Sequence, residues 1–174
     1  ADASTADGSL EHPYPTLQQA YDKYDSNNMI VRALPGVYNE GGAIWDGHNV
    51  RIYSTKVGVR IASTEGPEKT IIMGARDETS PDGCGTNATL LIAITSNTGL
   101  SGFTLTGGYS PANGSARRPI YSYGVDLTVS DCIITNNHGR HYAVGTAAFE
   151  RCLIKDNYGA DYVLVGSRLY SCIV

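Results

Sequence analysis

Short apolar runs alternate along this chain with clusters of glycine, asparagine, aspartate and serine, and in the second half the alternation becomes strictly periodic. Cys132, Cys152 and Cys172 lie 20 residues apart, and their surroundings repeat with them: DCIITNN returns as RCLIKDN and begins again as SCIV. A fixed period of this length is typical of solenoids, in which each repeat forms one coil that packs on its neighbours.

Each period contains three runs that can form strands, at residues 142–144, 147–149 and 152–154 in one coil. Three short strands per coil predict a triangular parallel β-helix. Alternation predicts which side chains point inward; in two successive coils these are Leu127, Val129, Cys132 and Ile134, followed by Ala147, Phe149, Cys152 and Ile154. Asn137 and Asn157 share one turn position and are expected to pair amide to amide along the axis.

The N-terminal part has a different pattern. Thr16 and Gln19 form a capping box, and Leu17, Ala20, Tyr21 and Tyr24 give a short helix one apolar face. We expect one domain, with an N-terminal cap over 1–28, irregular coils over 29–123 with loops at 77–87 and 109–123, and regular coils over 124–174. Because no capping element follows the last strand-like run, we expect that coil to pair with further coils or with another chain.

Composition narrows the classes of partner. The net charge of −4 gives no electrostatic case for nucleic acid, and no apolar run approaches the ~20 residues of a membrane helix.

The three periodic cysteines are expected to be buried free thiols, because side chains on adjacent coils point the same way and are poorly aimed for a disulfide. Cys84 lies in a polar loop and is expected to be exposed.

Five segments carry a family resemblance: DGSLEHPYPTLQQAYD, MIVRALPGVYNEGG, EGPEKTIIMGA, LSGFTLTGG and SDCIITNN. They resemble right-handed parallel β-helix proteins of the pectin-lyase-like superfamily, and most of all the bacterial secreted and surface proteins of that fold. The resemblance implies an all-β, right-handed parallel β-helix in an extracellular or cell-surface location. That superfamily includes polysaccharide lyases, glycoside hydrolases, epimerases, adhesins and passive scaffolds, so the fold does not select a function.

Two clusters could carry chemistry. A lyase of this superfamily would need calcium, for which the acidic loop with Asp77, Glu78 and Asp82 is the candidate site, unless it is simply a solvated polar loop. Arg140, His141 and Asp161 are the catalytic candidates. Asp161 follows His141 by one period, and a histidine beside a carboxylate can act as a general base or can be a turn residue held by a hydrogen bond.

The 12 tyrosines suggest a binding surface. Exposed tyrosines stack on sugars and anchor protein contacts, although they also pack over loops. The candidates are Tyr121, Tyr123, Tyr142, Tyr158 and Tyr162. Alternation also places Ile133, Leu153 and Ile173 outside the coil, where they form a partner surface or lie under a loop.

Two functions follow from these patterns. The first is a secreted or cell-surface scaffold or adhesion module without enzymatic activity, with a polysaccharide or a surface protein as its partner. The alternative is a polysaccharide lyase or another carbohydrate-active enzyme acting on a uronate-containing polysaccharide. Calcium is the one cofactor considered.

Overall fold

A computed structural model describes residues 4–111, 118–122 and 124–174. Within these residues the chain forms one short helix and a succession of short strands. The elements are α1 Leu17–Asp22, β1 Ile30–Ala33, β2 Gly36–Tyr38, β3 Ala43–Trp45, β4 His48–Ser54, β5 Val59–Ser63, β6 Thr70–Met73, β7 Thr89–Ile94, β8 Thr98–Ser101, β9 Thr104–Thr106, β10 Ile120–Ser122, β11 Leu127–Ser130, β12 Ile133–Thr135, β13 His138–Gly139, β14 Tyr142–Val144, β15 Ala148–Glu150, β16 Leu153–Lys155, β17 Tyr158–Gly159, β18 Tyr162–Leu164 and β19 Arg168–Tyr170.

The strands stack coil upon coil into long sheets. One sheet has the order β1-β5-β8-β11-β15-β19, a second β16-β12-β9-β6-β2, and a third β10-β7-β4-β3. Only β3 with β4 is antiparallel among these strand pairs. The three predicted strands per coil are present, and the two-residue strands β13 and β17 add a short fourth side.

The core follows the predicted alternation. All eight residues predicted to point inward in the regular coils are at most 6% exposed. Complete burial of an aliphatic or aromatic side chain contributes roughly 1.5–3 kcal/mol, so this column of side chains is the main stabilising element of the regular coils. Cys132 and Cys152 belong to it as free thiols, as predicted, and Cys172 continues the stack on the last coil.

The predicted asparagine ladder is present. Asn137 is 1% exposed, and its Nδ2 donates to Asn157 Oδ1 and to the Leu105 carbonyl, both at 3.0 Å. Asn137 Oδ1 accepts from the Gly108 amide at 2.9 Å. The ladder therefore satisfies backbone groups in three consecutive coils, which is why a polar side chain is stable at this depth.

The helix α1 lies against the first coils. Thr16 caps it by accepting the Gln19 amide, as predicted. Tyr21 is 2% exposed, and its hydroxyl accepts from the amides of Thr55 and Lys56 at 2.7 and 2.8 Å. One buried hydroxyl therefore ties the helix to the turn that follows β4.

Two expectations differ from the structure. Cys84 is buried, not exposed, because the loop 77–87 folds against the coil and brings the Cys84 thiol to 3.7 Å from the His138 carbonyl. The segment 109–123, predicted as a loop, contains β10, which pairs with β7. Its pairing is favoured because Ile120 and Ser122 turn buried side chains toward the coil.

Candidate functional site

A tight corner in the regular coils positions most of the candidate residues. The chain bends between β13 and β14, and bends again one coil later between β17 and β18. A Cβ atom at Gly139 would overlap with the Tyr142 carbonyl, and one at Gly159 with the Tyr162 carbonyl. Only glycine permits this bend, which projects successive residues outward from the same edge of the β-helix.

An aromatic row runs along one side of this corner. The rings of Tyr142 and Tyr162 are nearly parallel, 9° apart, with centroids separated by 6.1 Å. Trp45 and Tyr121 form a second pair with centroids 4.7 Å apart. Arg118 joins the two pairs, since its guanidinium carbon lies 5.9 Å from the Tyr121 ring centroid and 4.8 Å from that of Tyr142. We call these five side chains the aromatic row.

Arg118 is the unusual member of the row. It is partly buried, and desolvation lowers the pKa of its guanidinium. Its Nη1 donates to the Thr146 hydroxyl at 3.3 Å, while its buried Nε has no hydrogen-bond partner within the described part of the chain. The tyrosine faces compensate part of the desolvation cost through cation–π contact. The arrangement places a positive charge between the partly buried rings of Tyr121 and Tyr142.

His141 and Asp161 meet at the corner itself, one coil apart, as predicted. The His141 Nδ1 lies 2.8 Å from the Asp161 Oδ2, and both side chains are about half exposed. The backbone is in register here, because the amides of Asp161 and Tyr162 both donate to the His141 carbonyl. The His141 ring centroid is 6.2 Å from that of Tyr142, so the pair borders the aromatic row.

Arg140 points away from His141 toward the acidic loop. Its Nη2 donates to Asp82 at 3.0 Å and to the Cys84 carbonyl at 3.1 Å. A hydrogen bond from the Ser80 hydroxyl, with the Cys84 amide and Arg140 contributing, lowers the pKa of Asp82 to about 2. The structure thus brings together Arg140 and Asp82, which the sequence placed in separate clusters, and separates Arg140 from the histidine beside it.

The other acidic residues of the loop have local partners. Asp77 is buried and accepts hydrogen bonds from the Thr79 hydroxyl and from the amides of Thr79 and Asn87. These bonds lower the pKa of Asp77 to about 2, and the bond from the Thr79 hydroxyl has the largest effect. Glu78 lies 3.5 Å from Arg76. Across the described ranges, no three histidine, cysteine or acidic side chains gather so that they could hold a metal ion. The calcium site stays a prediction.

A second aromatic stack lies on the other side of the corner. The His138 ring lies between Tyr109 and Tyr158, with centroid distances of 5.3 and 4.4 Å. Desolvation lowers the pKa of His138. Tyr158 is therefore separated from the aromatic row by the corner, although the sequence grouped it with Tyr142 and Tyr162. Tyr123, another predicted binding residue, lies outside the described residues.

The predicted partner surface is part of a longer line. Ile133 and Leu153 are half-buried and Ile173 is 71% exposed. Strand register extends the line across the outer face of the second sheet, through six positions: Val37, Ile71, Thr104, Ile133, Leu153 and Ile173. We call this line the apolar stripe, and its role as a partner surface stays a prediction.

Trp45 and Arg118 belong to the aromatic row without having been predicted from the sequence. Neither belongs to the 20-residue repeat, and each reaches the row from an irregular segment. The one available signal was that Trp45 is the single tryptophan and lies in a turn region with Asp46, Gly47 and His48. Nothing in the sequence distinguished Arg118 from the other arginines.

Comparison with known proteins identifies structural relatives. No family model matches the chain, and no curated protein matches it. Solved structures do match. Pectin methylesterase PemA from Erwinia chrysanthemi shares 13% identity at a TM-score of 0.52, covering 91% of this chain and 55% of its own. A pectin methylesterase in complex with hexasaccharide VII shares 12% identity at a TM-score of 0.52. The match covers 95% of this chain and 65% of that one.

These likenesses show the fold, and they confirm a right-handed parallel β-helix with a short N-terminal helix. A third match is a pectin methylesterase variant in complex with hexasaccharide IV, at 13% identity and a TM-score of 0.52, over 90% of this chain and 56% of that one. The chain thus spans a little more than half, up to about two thirds, of the length of the structures it matches. In the described residues no helix has the length and apolar character needed to cross a bilayer.

Proposed function

We propose that this chain is the β-helix of a carbohydrate-active protein and that it binds an acidic polysaccharide along the aromatic row. The observation that supports this proposal is the row itself: Tyr142 and Tyr162 stack in line on successive coils, and Arg118 lies over Tyr142 and Tyr121. Tyr162 is 63% exposed and has ring area free to pack on a sugar, and a guanidinium pairs with a carboxylate through two parallel hydrogen bonds.

The row suits a polymer more than a single sugar. Its rings come from separate coils and follow the axis of the β-helix, so a linear chain could contact several of them in succession. The partial burial of Arg118 strengthens its attraction for a carboxylate, because the effective dielectric is lower there than in water. A uronate-containing polysaccharide provides both ring faces and carboxylates.

The similar structures favour an enzyme over a passive scaffold. All three are pectin methylesterases, and two of them were solved with a bound hexasaccharide. We therefore give preference to a carbohydrate-active enzyme, with an extracellular location as the corresponding expectation. The scaffold or adhesion module remains the second candidate, because the apolar stripe offers a partner surface on a different face.

Binding measurements with matched variants test the proposal. Isothermal titration of the purified chain with polygalacturonate, and with a neutral polysaccharide of similar length, gives the affinity and its dependence on charge. We expect Arg118→Gln to weaken binding to polygalacturonate about 10–100-fold, since a charged hydrogen-bonded pair is worth ~1.5–3 kcal/mol. Tyr142→Ala should weaken it about 3–10-fold, in keeping with ~0.5–1.5 kcal/mol for a ring contact.

Two controls lie on another face of the β-helix. Arg60 and Tyr170 are exposed residues of the first sheet, and Arg60→Gln and Tyr170→Ala should leave the affinity within twofold. Equal losses in Arg118→Gln and Arg60→Gln would mean that binding follows overall charge and not the row. If the unaltered chain binds none of the polysaccharides, the proposal fails and the adhesion module becomes the better account.

A further inference from the structure

We propose that the open edge of β1 binds an extended peptide segment of a partner protein as an added parallel strand, and that this segment alternates apolar with acidic side chains. The site is the cavity between α1, the segment 8–14 and the first coil. It shares no residue with the aromatic row, so the inference goes beyond the proposed polysaccharide binding and does not depend on it.

The cavity has the size and lining of a binding site. Its volume is about 580 Å³. Leu17 and Ala20 of α1 line it, together with Met29 and Leu34 on either side of β1. Binding cavities in proteins are typically about 300–1,000 Å³ and mainly apolar. The cavity therefore has room for side chains of a partner.

Three large apolar side chains are exposed at this cavity. Leu10, Tyr24 and Ile30 are each more than half exposed, and all three line it. They come from different parts of the chain, namely the segment 8–14, the turn after α1, and β1. Exposed apolar groups that converge from separate elements mark an interaction surface, whereas isolated ones need no explanation.

One wall of the cavity is a turn that the chain's own hydrogen bonds hold in place. The amides of Asp7 and Gly8 both donate to the His12 carbonyl at 3.0 Å. Gly8 has a φ of +87°, and a Cβ atom there would lie 2.8 Å from the Tyr14 ring, so glycine is needed for the turn to pack on this ring. Leu10 lies within this turn and is therefore presented at the cavity.

The strand β1 presents unpaired backbone groups to the cavity. It pairs with β5 on one side, and in the described part of the chain no strand pairs with its other side. The Met29 and Ala33 carbonyls accept hydrogen bonds from the next coil. Because backbone groups alternate in direction along a strand, those of Ile30 and Arg32 point to the open side. Such an edge is a template on which another strand can pair.

The sheet also determines how an added strand would lie. The described strand pairs of this sheet are all parallel. The amide of buried Thr98 donates to the following coil, whereas that of exposed Arg60 donates to the preceding one. An added parallel strand that follows this rule directs the amides of its inward-facing residues at β1. Its inward side chains would enter the apolar cavity, and its outward side chains would lie beside Arg32.

Charge favours acidic side chains at the outward positions. Among the described residues that line the cavity, Arg32 is the one with a charged side chain. It is exposed, and no described carboxylate lies within ion-pair distance of it. Ile30 is in register with the exposed Arg60, which adds a second positive charge on the same face. Opposite charges on neighbouring strands attract and like charges repel, so an acidic segment is favoured over a basic one.

A peptide strand suits this site better than a compact apolar molecule. Such a molecule could fill the cavity, but it would leave the edge of β1 and the charge of Arg32 without partners. A peptide strand pairs with the edge, fills the cavity with alternate side chains and supplies carboxylates to Arg32.

Titration with capped synthetic peptides tests the inference. The acidic peptide GVEVEVG should shift the NMR signals of the Ile30 and Arg32 amides and slow their hydrogen exchange, because both amides point to the open edge. The basic peptide GVKVKVG should bind at least about fivefold more weakly, since it places like charges beside Arg32. N-methylation of the valines in GVEVEVG should weaken binding at least about tenfold, because their amides donate to β1. N-methylation of the glutamates, whose amides point away from β1, should weaken it less than about threefold.

Protein variants assign these effects to β1. Arg32→Gln should weaken binding of GVEVEVG about 2–5-fold and leave that of the neutral peptide GVQVQVG within about twofold. Arg168→Gln, at the opposite end of the same sheet, is the matched control and should leave both affinities within about twofold. Ile30→Pro removes an edge donor and should bind about fivefold more weakly than Ile30→Ala, which keeps the amide.

The outcomes that contradict the inference are distinct. Equal affinity for the acidic and basic peptides, or for the two N-methylated peptides, overturns it, and so does binding of none of them. A dimer in sedimentation velocity whose Ile30 and Arg32 amides are already protected would assign the edge to a second copy of the chain and also overturn it. Polysaccharide binding at the aromatic row is measured separately with polygalacturonate and stands or falls on its own.

Discussion

The regular coils after residue 124 and the coils before residue 111 are held together in different ways. In the regular coils, side-chain contacts join residues 20 apart, as in Asn137 with Asn157 and Arg151 with Asp131. In the earlier coils the separations have no common value: Gln18 bonds to Tyr53 across 35 residues, and Ser54 to Thr98 across 44. Repetition stabilises one region, and individual long-range contacts stabilise the other.

The candidate site draws on both regions. The regular coils supply pairs in register, Tyr142 with Tyr162 and His141 with Asp161. The irregular segments supply Trp45 and Arg118, whose charge and ring area have no counterpart one coil away. A repeat alone produces a uniform surface, and the irregular segments add a tryptophan ring and a positive charge at one position on that surface.

The largest expected effect is on the asparagine ladder. Asn137→Ala removes three side-chain hydrogen bonds at a site that is 1% exposed, and leaves the Gly108 amide without its side-chain acceptor and the Leu105 carbonyl without its side-chain donor. We expect the free energy of unfolding to fall by about 3 kcal/mol or more, since each buried unsatisfied group costs ~1–3 kcal/mol. Urea denaturation followed by circular dichroism measures it.

The control for this ladder is an exposed asparagine of the earlier coils. Among the described residues, the Asn97 side chain accepts one hydrogen bond, from the Asp126 amide. Asn97→Ala should cost about 1 kcal/mol or less. Equal losses in the two variants would contradict the view that the regular coils depend on a buried ladder.

A smaller and more local effect is expected in the cap. Tyr21→Phe deletes the hydroxyl that accepts the amides of Thr55 and Lys56, and should lower the free energy of unfolding by about 1–3 kcal/mol. Hydrogen exchange should accelerate at those two amides and stay unchanged in the regular coils. Tyr24 is 55% exposed, so Tyr24→Phe should change stability by no more than ~0.5 kcal/mol. Faster exchange throughout the molecule would show that the two regions unfold as one unit.

The smallest effect is the acid response of the loop 77–87. Both Asp77 and Asp82 have a pKa lowered to about 2 from an ordinary value of 3.8. Because the folded pKa is depressed, the stabilisation is complete above pH ~4 and is lost as the pH falls toward 2. Carboxyl-carbon NMR titration should give both midpoints near 2, and Asp77→Asn should remove one of them. Midpoints near 3.8 would mean that the hydrogen bonds of the loop do not persist in solution.

The sequence predicted what is periodic and could not predict what is not. Strand alternation and the 20-residue spacing were enough to place Cys132, Phe149 and Asn137 inside the coil, and to place His141 beside Asp161. The burial of Cys84 was missed because it depends on how the loop folds against His138, 54 residues away. Contacts of this kind are set by loop length and tertiary packing, which leave no local pattern in the chain.

The position of Arg118 was unpredictable for the same reason. It follows a segment without repeat character and precedes β10, which pairs with β7, and its own contact with the regular coils is the hydrogen bond from Nη1 to the Thr146 hydroxyl. Arg118 bonds to Thr146 across 28 residues, whereas His141 meets Asp161 across 20, so the 20-residue period does not predict the neighbours of Arg118.

The glycine-bounded corner also makes the molecule extendable. Residues 138–157 constitute one complete coil that begins after one ladder asparagine and ends on the next. Duplication of this segment in tandem would reproduce its own junction, add another tyrosine to the row, and lengthen the surface by the ~4.8 Å spacing of neighbouring strands. Whole-coil insertion would therefore change the length of the aromatic row, and with it the length of polymer that the proposed site would contact, without redesign of any single contact.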